Sequence, residues 1–143
     1  MKINNRRVEH YLKLARNACY YSDNKRARLG CIFVYKGKVI SIGWNLQDKT
    51  NPLQKRYNHY RGFDPDASNC HNTVHAECHA LLRARDLDID WSKVTAYVYR
   101  IKKDGSDGLA KPCPACQAML IEQGINKVCY TDGFGNWTYE EWD

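Results

Sequence analysis

Features that would place the chain in a membrane or outside the cell are missing from the sequence. It contains no run of about 18 apolar residues, the length typical of a membrane-spanning helix, so no contact with a membrane is expected. Residues 1–7 lack the apolar core of a secretory signal, so we expect a cytoplasmic protein. Repeats and low-complexity segments are also absent. The 143 residues are enough for one domain with its own core, spanning residues 1–143.

A framework of disulfide bonds is also not expected. The chain has seven cysteines, which is an odd number, and it has no export signal. The thiols should therefore be reduced and available as metal ligands.

Composition and charge indicate a folded protein with one basic segment. Apolar residues make up 43% and charged residues 27%, which is typical of a globular domain. The net charge of +6 belongs entirely to residues 1–28, where eight Lys and Arg face two acidic residues. Attraction to nucleic acid or to nucleotide phosphate is one interpretation of this segment. A solvated helix face is the favoured one, because the surplus is only six charges.

Hydrophobic periodicity predicts helices that alternate with strands. The predicted helices are 7–20, 73–85 and 113–124, and the predicted strands are 29–35, 38–44, 94–101, 127–131 and 137–142. Thr73 is expected to cap the second helix, and Pro114 and Gly124 suit the start and end of the third. The last strand should return antiparallel to the one before it. In the first helix the apolar stripe consists of Val8, Tyr11, Leu12, Ala15, Ala18 and Cys19.

Residues 45–72 are predicted to form a long polar loop in which aromatic and basic side chains alternate. Such a loop can contact phosphate and stack a base. It can equally have aromatic side chains that only cover the edge of the domain. The sequence leaves both interpretations open.

Two short motifs carry the chemistry. His75 is followed two residues later by Glu77, and a Cys-x-x-Cys formed by Cys113 and Cys116 begins 38 residues after the histidine. A catalytic zinc uses three protein ligands and leaves the fourth position for water. His75, Cys113 and Cys116 can supply those three, because two cysteines at i and i+3 reach one metal within a single helical turn.

Glu77 is expected to act as a general acid and base instead of a ligand. It lies in the same first turn as His75 but points in a different direction. A structural zinc would need a fourth protein ligand. The catalytic interpretation is favoured, since His-x-Glu followed by Pro-Cys-x-x-Cys is the signature of zinc-dependent base deaminases.

With these residues the chain resembles the cytidine and deoxycytidylate deaminase superfamily, and most of all its small deoxycytidylate-deaminase-type members, including phage-encoded ones. The resemblance implies an α/β fold of three α/β/α layers, with a central mixed sheet of four to five strands and helices on both faces. It also implies one zinc ion per chain and a homo-oligomer. Departures from the family pattern occur at residues 45–72, at the long approach 102–111, and after Thr131, where only 12 residues follow.

The resemblance also implies substrate contacts. Asn45, in a Gly-aromatic-Asn sequence, would hydrogen-bond the sugar or base, and the N–H of Ala76 would hold the base carbonyl. Trp44 and Tyr130 are candidates for the ring pocket, although ordinary core packing is an equal or better interpretation. The remaining candidates flank the motifs and are Thr73, Val74 and Pro112.

Two sets of residues carry weaker hypotheses. The candidates for phosphate contact are Arg56, Arg61, Lys102, Lys103 and Lys111, each more often a solvated surface group. A second metal site would draw on Cys70, His71, Cys78 and His79. The favoured interpretation is instead a buried Cys78 and a partly packed His79.

The function expected from the resemblance is zinc-dependent hydrolytic deamination of a free cytosine nucleotide, with dCMP converted to dUMP and ammonia. A deaminase of single-stranded DNA or RNA is a second hypothesis, supported by the basic N-terminal segment. A purine-base or purine-nucleoside deaminase uses the same chemistry and is a third. A zinc-stabilised binding module without activity is the non-enzymatic alternative.

Overall fold

A computed structural model describes residues 5–24, 26–62 and 73–142. The helices are α1 (Asn5–Cys19), α2 (Pro52–Tyr57), α3 (Ala76–Ala84) and α4 (Pro114–Gln123). The strands are β1 (Ala27–Tyr35), β2 (Lys38–Trp44), β3 (Leu46–Thr50), β4 (Thr73–Val74), β5 (Val94–Lys102), β6 (Lys127–Thr131) and β7 (Trp137–Glu141). None of the described helices is both long and apolar enough to cross a membrane.

The central sheet has five strands in the order β2-β1-β5-β6-β7. Only β5 and β6 run parallel, and α4 lies in the chain between them, as a parallel pair requires a crossover connection. The other neighbours are antiparallel, including β6 and β7, so the predicted direction of the last strand is confirmed. Strands β3 and β4 form a separate two-stranded sheet.

Both faces of the central sheet are covered by helices. Along β1, Cys31 and Phe33 join the hydrophobic cluster that contains residues of α3 and α4, while Ile32 and Val34 join the cluster built on α1. This alternation follows from the two-residue period of a strand. The predicted apolar stripe of α1 is buried at all six positions. The three-layer fold with a mixed sheet is therefore confirmed.

The expected loop over residues 45–72 is wrong for its first part. Asn51 accepts a hydrogen bond from the N–H of Leu53 and Pro52 occupies the first turn, and together they start α2. A 3₁₀ turn, Asn58–Arg61, continues the segment. The remainder, 63–72, lies outside the described residues.

The expected role of Thr73 as a helix cap is also wrong. Thr73 pairs with Thr50 in the small sheet, and this pairing keeps it extended. The helix begins three residues later at Ala76, and His75 is the residue that precedes it. The predicted inward side of this helix is confirmed, because Ala80, Leu81 and Ala84 are all buried.

Candidate active site

The candidate active site lies where the N-termini of α3 and α4 meet. His75 is the cap residue of α3 and Cys113 is the cap residue of α4, and both have extended backbones. Pro114 occupies the first turn of α4, and Gly124 ends that helix in the left-handed conformation at φ 111°, as predicted. The two helix starts place His75, Cys113 and Cys116 together, with positive helix ends that favour anionic ligands.

The three predicted ligands have the separations that a tetrahedral zinc site needs. Nδ1 of His75 lies 3.5 Å from Sγ of Cys113 and 3.3 Å from Sγ of Cys116. Bond lengths of about 2.3 Å to sulfur and 2.0 Å to nitrogen imply ligand–ligand distances of roughly 3.5–3.8 Å. All three ligand atoms lie within 4.8 Å of one another. Among the described residues, this is the one group whose ligand atoms converge in this way.

One of the two thiols is already biased towards the ionised form that a metal requires. A hydrogen bond with Cys116 and interactions with His75 together outweigh burial and lower the pKa of Cys113 to about 4. The same hydrogen bond raises the pKa of Cys116 well above its usual value. One thiolate is thus available near neutral pH, and metal binding would displace the second proton.

Glu77 lies beside this cluster and is 3% exposed. Its Oε1 atom is buried and has no hydrogen-bond partner among the described residues. Burial raises the pKa of the carboxyl group, and the nearby His75 opposes that effect. An unpartnered buried oxygen is costly to a fold and is typical of an atom that awaits a ligand or a water.

Two buried residues of the 52–61 segment hold His75 in position. Oε1 of Gln54 accepts a hydrogen bond from the backbone N–H of His75 at 3.1 Å. Nε2 of Gln54 donates to Asn58 Oδ1 at 2.8 Å, and both side chains are almost completely buried. The outer nitrogen of the ring, Nε2 of His75, lies 3.4 Å from Nη1 of Arg61. Sequence reasoning missed Gln54, because a glutamine in a polar segment carries no local signal of burial.

A cavity of about 270 Å³ opens beside Glu77. Three of the predicted substrate contacts line it, namely Asn45, Thr73 and Ala76. The side chain of Asn45 is held by the main chain. Its Oδ1 accepts from the N–H of Leu29 at 2.9 Å, and its Nδ2 donates to the carbonyl of Ala27 at 2.9 Å. Asn45 therefore ties β1 to the cavity wall.

The other predicted contacts lie away from the described cavity wall. Trp44 packs between Tyr21 and His79, with ring centroids 4.9 Å and 4.5 Å away. The hydroxyl of Tyr130 donates to Glu140. Val74 and Pro112 are buried and are not among the described residues that line the cavity.

The cavity also contains residues that sequence reasoning did not select. Asn24, Arg100 and Leu109 are part of its wall. Of the predicted phosphate contacts, Lys111 lines the cavity, whereas Arg56 lies in a separate groove with Leu82 and Arg85. Lys102 and Lys103 are exposed around the turn that follows β5.

The residues considered for a second metal have other environments. Nδ1 of His79 accepts a hydrogen bond from the N–H of Trp44 at 3.1 Å, and burial lowers the pKa of the ring. Cys78 is fully buried in the core. Cys70 and His71 lie outside the described residues.

Comparisons with known proteins agree with this geometry. The model of the cytidine and deoxycytidylate deaminase zinc-binding region matches residues 5–132. The deoxycytidylate deaminase of Saccharomyces cerevisiae is 29% identical over 132 residues, which are 87% of this chain. The chain spans only 37% of the length of that relative.

Solved structures have the same fold. The dCMP deaminase of the cyanophage S-TIM5 in its apo form is 25% identical with a TM-score of 0.62, and the match covers 91% of this chain and 86% of that one. The same phage enzyme in complex with dCMP and dUMP is 24% identical with a TM-score of 0.62, covering 90% and 83%. A cytidine deaminase from Burkholderia pseudomallei is 19% identical with a TM-score of 0.61, covering 93% and 91%.

The two helix N-termini, the converging His–Cys–Cys ligands and the match over residues 5–132 lead to one conclusion. The chain belongs to the cytidine and deoxycytidylate deaminase zinc-binding family.

Proposed function

We propose that this protein removes the amino group from the cytosine ring of a free nucleotide by hydrolysis, with dCMP as the preferred substrate. The observation that carries the proposal is the unpartnered, buried Oε1 of Glu77 beside the three converging ligands. This oxygen has no hydrogen-bond partner among the described residues, so it is free to exchange a proton with a bound molecule.

The residues of the site have different roles in the proposed reaction. His75, Cys113 and Cys116 would hold zinc, which supplies the activation of a water molecule when it is bound. Glu77 takes a proton from the attacking water and passes it to N3 of the ring. The oxygen of that water bonds to C4. Glu77 then takes the proton of the resulting C4 hydroxyl and delivers it to the amino group, so that the bond from C4 to the amino nitrogen breaks, ammonia leaves and C4 becomes a carbonyl carbon of uracil. The N–H of Ala76, at the start of α3, would hold the base carbonyl.

The choice of a nucleotide rests on the relatives and on the position of the basic helix. Both the yeast relative and the 25%-identical phage relative are dCMP deaminases by name. The basic helix α1 packs on the face of the sheet opposite to the cluster that contains Cys116. A polynucleotide needs a positive groove that leads to the reacting base, and α1 does not provide one on the side of Glu77.

The test is a substrate panel with the zinc-loaded protein. It contains dCMP, deoxycytidine, CMP, cytidine, dCTP, adenosine and a short single-stranded oligonucleotide, and it follows ammonia release together with the change in ultraviolet absorbance. We expect the highest kcat/KM with dCMP. Highest activity on the oligonucleotide or on adenosine would replace the substrate assignment, and zinc content without activity on any substrate would contradict the proposal.

Glu77→Gln is the matched control for the chemistry. It keeps the size of the side chain and removes its ability to carry a proton, so zinc content should stay and kcat should fall by about 10²–10⁴-fold. Turnover near the wild-type rate would show that Glu77 does not move the proton.

A further inference from the structure

Arg100 is a cation whose position the proposed chemistry does not explain. It lies on β5 and lines the same cavity as Glu77. Its Nε atom is buried and has no hydrogen-bond partner among the described residues. A buried N–H of a charged guanidinium is costly unless an anion or acceptor pairs with it. A hydrogen-bond partner for Arg100 would therefore have to bind in the cavity.

The segment that follows β5 builds the wall around Arg100. The carbonyl of Arg100 accepts a hydrogen bond from the N–H of Gly108 at 2.8 Å, and Thr131 Oγ1 donates to the carbonyl of Gly108 at 2.6 Å. A Cβ atom on Gly108 would lie only 2.9 Å from Cδ of Arg100, so the glycine fits closely against the arginine side chain. The aliphatic part of the Arg100 side chain therefore packs directly against the backbone of Gly108.

The same segment brings a second cation to the cavity. Lys111 lines the wall two residues before Cys113. Its side chain is 50% exposed, and its Nζ lies 3.8 Å from a carboxylate oxygen of Glu140, which is the long end of an ion pair. An exposed pair of this kind is worth little, so Lys111 can turn to another anion at small cost. Arg100 and Lys111 together give the wall of the cavity two positive charges.

We propose that Arg100, assisted by Lys111, binds the phosphate group of the substrate and thereby selects a nucleotide over a nucleoside. The inference rests on the proposed function. Cytosine and deoxyribose are neutral, so they offer no charge to the guanidinium of Arg100, whereas a phosphate monoester carries about −1.5 to −2. The planar fork of arginine matches phosphate oxygens in a bidentate manner. Glu77 is not the anion that pairs with Arg100, because Oε1 of Glu77 and Nε of Arg100 both lack a hydrogen-bond partner among the described residues.

A purely structural role for Arg100 is the competing explanation. Its aliphatic part packs against Gly108 and so supports the segment that carries Leu109 and Lys111. In that case, loss of the guanidinium would disturb the cavity for every substrate alike. Comparison of two substrates that differ only in the phosphate separates the two explanations.

The experiment measures kcat and KM for dCMP and for deoxycytidine with the wild type and with Arg100→Gln. We expect kcat/KM for dCMP to fall about 10–100-fold, mainly through KM, as for loss of a charged hydrogen bond. The kcat/KM for deoxycytidine should stay within about 3-fold of the wild-type value, so the preference for the phosphorylated substrate should be lost. Arg16→Gln, on α1 across the sheet, is the matched control and should leave kcat and KM unchanged for both substrates. Equal loss on both substrates, or no loss on either, would overturn the inference.

A binding measurement keeps this inference separate from the proposed function. Calorimetry compares dUMP with deoxyuridine on the zinc-loaded wild type and on Arg100→Gln. If no cytosine substrate is turned over, tighter binding of dUMP that disappears in Arg100→Gln still supports the phosphate site, and the proposed reaction alone fails. If dUMP binds the wild type no more tightly than deoxyuridine, the phosphate site is wrong even where deamination is observed. Lys111→Gln should reduce the advantage of dUMP by a smaller factor than Arg100→Gln, because Lys111 is half exposed.

Discussion

Gln54 and His75 illustrate how a single buried hydrogen bond can position a proposed metal ligand. The backbone N–H of His75 precedes the first turn of α3, so no helical carbonyl accepts from it. Oε1 of Gln54 fills that role at 3.1 Å, and Gln54 is only 1% exposed. The bond fixes the backbone from which the imidazole extends towards Cys113 and Cys116. Partners outside the ligand set commonly change metal affinity by about 10–100-fold.

Gln54→Leu should therefore weaken metal binding and stability together. The substitution removes the acceptor for the N–H of His75 inside the fold, which costs about 1–3 kcal/mol. Zinc affinity should fall about 10-fold or more. Competition with a chromogenic chelator measures the affinity, and urea unfolding measures the stability.

Gln123→Leu is the control for that substitution. Gln123 donates to the carbonyl of Arg85 near the surface, so its loss should leave zinc affinity unchanged. Wild-type zinc affinity in Gln54→Leu would show that His75 is held by other contacts.

At the scale of elements, two glycines allow helices to lie directly on strands. A Cβ on Gly30 of β1 would be 2.1 Å from the carbonyl oxygen of Ala15 in α1. A Cβ on Gly43 of β2 would be 2.3 Å from the backbone nitrogen of Ala80 in α3. Each glycine is thus required by close backbone approach on its own face of the sheet. The second contact determines where α3, and with it Glu77, lies.

Gly43→Ala should consequently affect both stability and turnover. The new methyl group would meet helix backbone, which cannot rotate away, so α3 must shift from β2. We expect a loss of about 1–3 kcal/mol in the free energy of unfolding, the usual cost of overpacking, or somewhat more. The zinc-loaded variant should also lose kcat on dCMP, since Glu77 moves with the helix. Urea unfolding and steady-state kinetics measure the two effects.

Ile42→Ala, on the same strand, is the matched control. Ile42 is 39% exposed, so its truncation should cost less and leave kcat unchanged. A Gly43→Ala protein with wild-type stability would show that β2 and α3 can separate without cost.

At the scale of the whole molecule, the proposed zinc would join parts of the chain that are distant in sequence. His75 belongs to the start of α3, while Cys113 and Cys116 belong to α4. A ligand that binds only the folded state stabilises it according to its concentration relative to Kd, by about 4 kcal/mol at 1,000 times Kd. Zinc binding should therefore raise the thermal stability of the entire domain.

Removal of zinc with a chelator should therefore lower Tm by about 10 °C, taking about 2–4 °C per kcal/mol for a domain of this size. The Tm of Cys116→Ser should not change when zinc is added. Cys129→Ala, which removes a buried thiol outside the ligand cluster, should keep the full zinc response. Scanning fluorimetry measures Tm, and elemental analysis should find one zinc per chain. A Tm that does not change with zinc would contradict the metal site, and two zinc ions per chain would indicate a second one.

The predicted homo-oligomer can be tested on the same samples by sedimentation.

Much of the fold followed from local patterns. The stripe of α1 and the ending of α4 at Gly124 depend on residues within a few turns of each other, so sequence spacing predicts them well. Thr73 was predicted wrongly because its pairing with Thr50 is a tertiary contact that outweighs its preference for a helix cap. The prediction of a loop is wrong for residues 52–57, because Asn51 and Pro52 form a start signal for a short helix.

Residue types and their spacing along the chain were enough to predict the chemistry that we propose. Metal ligands and a proton carrier are recognised by residue type and short spacing, and the proposed roles of His75, Glu77, Cys113 and Cys116 rest on both. The other residues that share the cavity with them are known only from the folded chain. Arg100, Asn24 and Leu109 come from segments with no local motif, and they meet Glu77 only because the pairing of β1 with β5 and the turn after β5 place them there. The register of a sheet depends on contacts between distant residues. For that reason Lys111 was a candidate for phosphate contact from the sequence, whereas Arg100 could be assigned to the proposed phosphate site only in three dimensions.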